Sequence, residues 1–278
     1  CVWPPQSGII PVRRHRKLSE LQTAANAQLM DLPEPASIGE ADCMAAIAAL
    51  RRAASERETA DAARYREMVD YYTAWVHQIK TPIAAMRLTL QPDDTPNARR
   101  LMSQLLRIEQ YVDMVLMYLR LDEGTSDYVI RACDLDGIIR QSLRKFAGEF
   151  IDRKLTLHYE PLHLSVVTDE KWLGFVVEQV LSNALKYTAS GSVTIAMDGD
   201  DLCIRDTGMG IAAEDLPRIF EQGFTGVNGR QDRRASGIGL YLCRRICGNL
   251  GHTIRASSVP NQGTEIRIGL GQKKTLPE

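Results

Sequence analysis

Two heptad seams separated by a proline-bearing break constrain this chain more than any other feature. Along the first, Val69, Tyr72, Val76, Ile79, Ile83, Met86 and Leu90 step by 3, 4, 3, 4, 3 and 4 residues, the stripe that winds one helix against another. Gln91-Pro92-Asp93-Asp94-Thr95-Pro96 interrupts it. Thr95 is placed to cap a new helix and Pro96 to take its first position, where a missing N–H costs nothing. Leu101, Leu105, Ile108, Val112, Val115 and Leu119 then step by 4, 3, 4, 3 and 4. Two such helices joined by a short turn make an antiparallel hairpin. A hairpin buries its stripe on one side only, and pairing with a second copy gives a four-helix bundle that covers it. A homodimer is the expectation, with burial against the rest of the same chain as the alternative.

The remaining sequence has a different texture. Residues 31–38 carry two prolines and read as a linker, and a helical stretch rich in Ala, Arg and Glu begins at about 41. After Asp122-Glu123-Gly124 the pattern alternates between helix and strand. Strands are expected at 128–133, 155–159, 164–167, 191–197, 201–205, 252–257 and 264–269, and helices at 135–151, 170–187 and 238–249. Between 207 and 236 lies a glycine-rich, polar segment of the kind that is functional when it sits inside a compact domain. With 278 residues the chain has room for two domains. The expected division is 1–40 as a juxtamembrane or linker segment, 41–125 as the helical hairpin and 126–278 as an α/β sandwich, an α+β two-domain class.

Composition removes several functions. The net charge of −1 supplies no field for nucleic acid, and no basic stripe with a recognition motif is present, so no nucleic-acid partner is expected. The six cysteines are scattered without a CxxC pair, which fits a reducing compartment better than a zinc site. Cys243 and Cys247, four apart, read as core packing rather than as ligands. No run of about 18 apolar residues offers a membrane span. Ile9-Ile10-Pro11-Val12 running into Arg13-Arg14-His15-Arg16-Lys17 leaves two readings open: the cytoplasmic edge of a membrane anchor outside this chain, or a solvated basic tail.

Four short stretches carry chemistry. In Trp75-Val76-His77-Gln78-Ile79-Lys80-Thr81-Pro82, Val76 and Ile79 lie on the seam, so His77 falls beside it and faces solvent. Lys80 and Thr81 share its face. Pro82 inside a helix removes a hydrogen bond and clashes one turn back, at about 3 kcal/mol, so a bend is expected there. A lone surface histidine means little, but beside a proline and within a dimerisation seam a functional role is the better reading. In the stretch Glu178 to Thr188, Gln179, Asn183 and Lys186 share a helix face; amide oxygens suit Mg²⁺, the lysine suits phosphate and Tyr187 suits a base. By itself a solvated polar face explains them as well. Cys203 to Ile211 delivers Asp206 from a strand into a turn with Gly208 and Gly210, where a carboxylate can accept from an adenine amino group. The match of Gly208 to Ala213 with a dinucleotide fingerprint is weak, since Pro217 follows and no acid-ended parallel strand comes after. Leu216 to Gly226, then Ser236-Gly237-Ile238-Gly239-Leu240-Tyr241, puts glycines before a helix whose first N–H groups suit a triphosphate. Gly223, Gly226 and Gly229 make the preceding loop hinge-like.

Together these stretches resemble a sensor histidine kinase over roughly residues 65–270. His77 to Pro82 resembles the phosphoacceptor box, 178–188 the N box, 206–211 the first glycine box, 216–224 the F box and 236–240 the second; Gly263-Thr264 resembles the closing pair. The wording around His77 and Gly-Phe-Thr-Gly looks most like kinases that sense envelope or antimicrobial-peptide stress. The resemblance implies a GHKL (Bergerat) ATP-binding fold behind a dimerisation hairpin, with ATP and Mg²⁺ as cofactors. It implies autophosphorylation of His77, then transfer to an aspartate of a response regulator. The chain would be cytoplasmic, tethered to the membrane through a segment outside it. Asn183 would ligate Mg²⁺ with Gln179 beside it, Lys186 would contact phosphate, Tyr187 the nucleotide, and Asp206 adenine. Gly208, Gly210, Ile211, Gly237, Gly239, Leu240 and Thr264 would shape the pocket, Phe220 would anchor the lid, and Thr81 would position water for dephosphorylation.

Two departures stand out. Gln78 follows the histidine where many members carry an acid; it cannot take a proton but can accept from Nδ1–H and fix the tautomer. Gly226 stands where the family's lid often carries arginine, and Arg230 is the nearest replacement. The two domains must meet for transfer, so the segment at 121–127 is the expected hinge. The rival readings are a GHKL-fold ATPase that needs no histidine, and a nucleotide-binding dimeric scaffold without turnover.

Overall fold

The computed structural model describes residues 35, 37–93, 95–122, 128–226, 236–271 and 273–275. The segment Ile9–Lys17, Gly229, Arg230 and the centre of the expected hinge, 123–127, lie outside these. Contacts gather the chain into two units, Cys1–Met68 and Val69–Glu278. Among the described residues no helix is long and apolar enough to cross a membrane.

Helix α1 (Ile38–Leu90) starts earlier than its composition suggests, because Ser37 caps it: the Glu40 N–H donates to Ser37 Oγ at 3.2 Å. Its described residues up to Met68 are exposed or half-buried. The helix continues through Pro82. Helix α2 (Pro96–Asp122) begins as expected, with the Ala98 N–H donating to Thr95 Oγ1 at 3.2 Å. Where the two helices meet, Val76, Val112 and Leu116 form a small core with Ile79 against it, and Val69, Ile83 and Leu105 are also buried.

Part of the seam points outward. Met86, Leu101, Ile108 and Val115 are exposed. Helix α2 also has a further apolar side: Met114, Met117 and Leu121 join the main core. That is why residues 69–122 and the C-terminal half fall in one unit.

The C-terminal half is a sheet layered against helices. Strand β1 (Arg131–Asp134) leads into α3 (Leu135–Asp152), capped by the Asp134 carboxylate on the Asp136 N–H. Strands β2 (Thr156–Tyr159) and β3 (Leu164–Thr168) follow, then α4 (Glu170–Tyr187), capped by Asp169 accepting from Lys171 and Trp172 N–H. Strands β4 (Ser192–Asp198) and β5 (Asp201–Asp206) form a hairpin. After a 3₁₀ turn at Leu216–Arg218 come α5 (Gly239–Asn249), β6 (Thr253–Val259), β7 (Gly263–Gly269) and β8 (Lys273–Thr275).

The larger sheet has the order β2-β4-β5-β7-β6, antiparallel except for the β2–β4 pair. One face alternates inward with Val193, Ile195, Leu202, Ile204, Ile266 and Ile268, and packs on α3, α4 and α5. The smaller sheet has the order β1-β3-β8. Strand β8 was not expected from the sequence, because Lys273-Lys274-Thr275 shows no apolar alternation; it is held by its antiparallel pairing with β3. The expected helices at 135–151 and 170–187 agree with α3 and α4 to within a residue at each end. Cys243 and Cys247 are buried in the core.

Candidate active site

The C-terminal end of α4 and the glycine turn after β5 make one wall of a cavity of about 510 Å³. Helix α4 puts its apolar residues Val176, Val177, Val180, Leu181, Ala184 and Leu185 into the core. Its remaining face turns Gln179, Ser182, Asn183, Lys186 and Tyr187 toward the cavity. Lys186 Nζ sits over the Tyr187 ring at 5.0 Å.

Asp206 ends β5 as a buried carboxylate. It accepts from the Gly208 N–H at 2.8 Å, from Thr188 Oγ1 at 3.4 Å and from the Thr264 N–H. Burial nevertheless raises its pKa above the ordinary carboxylate value. The turn that follows is wedged between the end of α4 and the β6–β7 hairpin: Met209 N–H donates to Tyr187 O at 3.1 Å, and Asn261 N–H to Met209 O at 2.8 Å. Gly210 is the residue this wedge requires. Its φ is +68°, and a Cβ there would lie 2.2 Å from Val259 O. Ser258 ties the same corner together, accepting from Ile211 N–H at 2.8 Å and donating to Gly263 O at 2.8 Å.

The opposite wall is the start of α5. Ile238 caps this helix without a side-chain hydrogen bond, so the first backbone N–H groups face the cavity free of a capping side chain. Gly239 is small for a different reason from Gly210. A Cβ on it would lie 2.4 Å from Gln179 Nε2, so the glycine makes room for the Gln179 amide.

The cavity therefore gathers Gln179, Asn183, Lys186, Tyr187, Asp206, Gly210, Ile211, Gly237, Gly239, Leu240 and Thr264 from four separate stretches of sequence. Gly208 lies behind Asp206, and Phe220 is half-buried outside the lining, where Ile219 and Phe224 stand instead. Arg230 is outside the described residues. Gln179 and Asn183 together offer neutral amide oxygens, a donor set that fits Mg²⁺ held by one or two side chains plus phosphate oxygens.

His77, Gln78 and Thr81 are elsewhere, exposed on α1, and no α1 residue lines the cavity. Thr81 Oγ1 donates back to His77 O at 3.2 Å. Lys80 pairs with Asp113 on α2 at 2.6 Å. Asp113 lies 3.6 Å from Lys145 on α3, which pairs with Glu178 on α4 at 2.6 Å. A chain of charge thus runs from the turn after His77 to the residue before Gln179. Sequence reasoning missed this chain, and it missed the contributions of α2 and α3 to the cavity: Arg107, Gln110, Tyr111, Met114, Glu149 and Arg153. All but Met114 are polar or aromatic, and none falls on the heptad seam.

Residues 168–274 match the family model described as histidine kinase-, DNA gyrase B- and HSP90-like ATPase. The sensor histidine kinase YxdK of Bacillus subtilis is 33% identical over 210 residues, 72% of this chain and 64% of that protein. The sensor protein BceS of Halalkalibacterium halodurans is 32% identical over 204 residues, 72% of this chain and 61% of that one. The chain thus spans less than two thirds of the length of these curated relatives. Full-length ShkA, crystallised in complex with AMPPNP, has a similar fold, with a TM-score of 0.50, 23% identity, and coverage of 72% of this chain and 45% of that one. The ATPase family's fold is the C-terminal sheet-and-helix half described above, with the cavity over its β5 end. Residues 168–274 belong to the histidine kinase-, DNA gyrase B- and HSP90-like ATPase family, and the chain that carries them is a relative of sensor histidine kinases.

Proposed function

We propose that the chain is a protein-histidine kinase of two-component signalling: it moves the γ-phosphoryl group of ATP to His77, then to an aspartate of a response regulator. The observation that carries this is the single cavity that collects the N-box, glycine-box and closing residues. Asp206 accepts from the adenine amino group, and Gly210 lets the base approach the backbone. Asn183 and Gln179 hold Mg²⁺, and Lys186 with the open N–H groups of α5 holds the phosphates. A cation held by these amides would offset the charge of the phosphates.

Transfer itself is in-line displacement, helped chiefly by positioning and charge neutralisation. A neutral ring nitrogen of His77 forms the N–P bond as the bond from the γ-phosphorus to the ADP oxygen breaks. The ring's other N–H proton then leaves to solvent; Gln78 accepts a hydrogen bond from it but not the proton. His77 lies outside the cavity in the present arrangement, so the hairpin must swing on the segment at 121–127.

The same reading keeps 41–125 as the dimerisation and phosphotransfer hairpin, 126–278 as the ATP-binding domain and 1–40 as a membrane-side linker. The outward seam residues Met86, Leu101, Ile108 and Val115 support a homodimer, since a second copy covers them. Thr81 positions water for dephosphorylation of the partner. Tethering to the inner face of the membrane is part of the proposal.

The test is incubation with γ-labelled ATP. An acid-labile, base-stable label is expected on the wild type, absent from His77→Ala and Asn183→Ala. ATP hydrolysis without protein label favours a plain ATPase of the same fold. Nucleotide binding without label or hydrolysis favours a scaffold.

A further inference from the structure

We propose that Arg107, on the second helix of the hairpin, is a binding contact for the phosphate end of the nucleotide. This rests on reading the cavity as the nucleotide site and adds to it a residue from outside the ATPase segment.

Arg107, Gln110, Tyr111 and Met114 recur at i, i+3, i+4 and i+7, one stripe of α2, and all four line the cavity. Two contacts fix the register of this stripe. Ser236 Oγ donates to Met114 sulfur at 3.4 Å, beside the glycines that open α5. Ser182 Oγ approaches Gln110 Oε1 at 3.4 Å, next to Asn183. Asp113 meets the Lys145–Glu178 pair one turn earlier on α4. Helices α2 and α4 therefore run antiparallel, and Arg107, one turn before Gln110, stands beside the turn of α4 that carries Lys186.

The cations at that end are unequal. Arg153 donates to Leu185 O at 2.6 Å and pairs with Glu149 at 3.4 Å. Glu149 also lies within 3.4 Å of Ser103 Oγ. Arg107 is half-buried and has no hydrogen bond or ion pair to its guanidinium among the described residues. A guanidinium has five donors and loses hydration when partly buried, so an unmatched one beside a cavity is unfavourable until an anion arrives. Phosphate oxygens answer its fork two at a time. The described lid residues in the lining, Phe224, Thr225 and Gly226, supply no cation of their own.

The consequence is a thermodynamic link. Nucleotide binding and packing of α2 on the cavity strengthen each other, and by the same factor in each direction.

The experiment is calorimetric titration of the full chain with Mg-ATP and, separately, with adenosine. Arg107→Ala should weaken ATP about tenfold, equivalent to about 1.4 kcal/mol, and leave adenosine unchanged. Arg107→Lys should recover part of the loss. Asp206→Asn, the control for the site itself, should weaken both ligands. If Asp206→Asn weakens both but Arg107→Ala binds ATP like the wild type, the Arg107 contact is overturned and the cavity reading stands. Equal weakening of ATP and adenosine by Arg107→Ala also overturns it, since that reports distortion rather than a phosphate contact. If the wild type binds neither ligand, the cavity reading falls and the Arg107 contact with it.

Discussion

Replacing Gly239 by alanine separates the stability of the cavity wall from its chemistry. The new Cβ would lie 2.4 Å from Gln179 Nε2 and 2.6 Å from its Cδ, both at the far end of a flexible side chain. Gln179 therefore turns away rather than the backbone moving, and leaving its rotamer costs about 0.5–1.5 kcal/mol. Against this, alanine gains about 0.5–1 kcal/mol over glycine in a helix. The two effects nearly cancel, so the unfolding free energy from urea titration should stay within about 1 kcal/mol of the wild type. Nucleotide binding should not stay level. Displacing one amide from the phosphate end removes about 1 kcal/mol, roughly a fivefold loss in Mg-ATP affinity. The decisive assay is a double-mutant cycle on binding, because in a Gln179→Ala background no side chain is left to displace. Gly239→Ala should then cost nothing further. A large fall in stability with binding intact would refute the argument, as would additive losses in the double variant.

Other outcomes follow from groups away from the cavity. His252 is buried, with Nε2 3.0 Å from Thr168 Oγ1 and Nδ1 without a partner. Burial lowers its pKa below the ordinary 6.5, so the unfolded chain binds the extra proton first as pH falls. Stability that is complete above about pH 6.5 should be lost on acidification toward the folded pKa, by at most about 1.4 kcal/mol per pH unit. Urea titrations at pH 7.5 and 5.5 should show a smaller difference for His252→Gln, and identical slopes would count against this. For Lys145, burial alone lowers the pKa, but the Glu178 and Asp113 carboxylates outweigh it and hold the amine above its ordinary 10.5. The stability it contributes is present below that value and lost as pH rises through the folded pKa. Lys145→Met leaves Glu178 unanswered and Asp113 with Lys80 alone, and should destabilise by about 2 kcal/mol at pH 7, less than a fully buried pair because these side chains keep about a quarter of their exposure. An unchanged melting temperature would exclude that role. Gly210→Ala, by contrast with Gly239→Ala, meets backbone rather than a movable side chain. It should lower both the melting temperature and ATP affinity, and a soluble variant with wild-type values for both would contradict the wedge described for this turn.

Much of the site was legible because its signals are local. Gln179, Asn183 and Lys186 share a face by helical spacing alone, and Asp206 before a glycine turn needs only its neighbours to be noticed. The heptad steps likewise gave both helices of the hairpin, and Thr95-Pro96 gave the start of the second. What escaped depends on residues distant in sequence. Nothing near Gly239 says that it makes room for Gln179, sixty residues earlier. Ser258 looks like any strand serine until it is seen to bind Ile211 and Gly263 together. The resemblance points to Phe220 for the lid, whereas Phe224, under the Arg218 guanidinium at 4.4 Å, is the ring in the lining.

Helix α2 shows why such misses cluster. Of its seam residues, Val112 packs on Val76 of α1, and Leu105 is also buried. Met114, Met117 and Leu121 step by 3 and 4 on another side and enter the main core. Arg107, Gln110 and Tyr111, with Met114, fill the cavity wall. A heptad count detects one stripe and treats the rest of the helix as solvated. Here the rest is occupied, and its partners lie in elements that begin after residue 130. One helix thus touches the His77 helix through Lys80–Asp113, the core through its methionines and the cavity through Arg107. On the proposed transfer, a swing of the hairpin toward the cavity keeps Lys80–Asp113 but breaks the contacts of α2 with the core and the cavity, so α2 is where hairpin movement would be felt at the proposed nucleotide site.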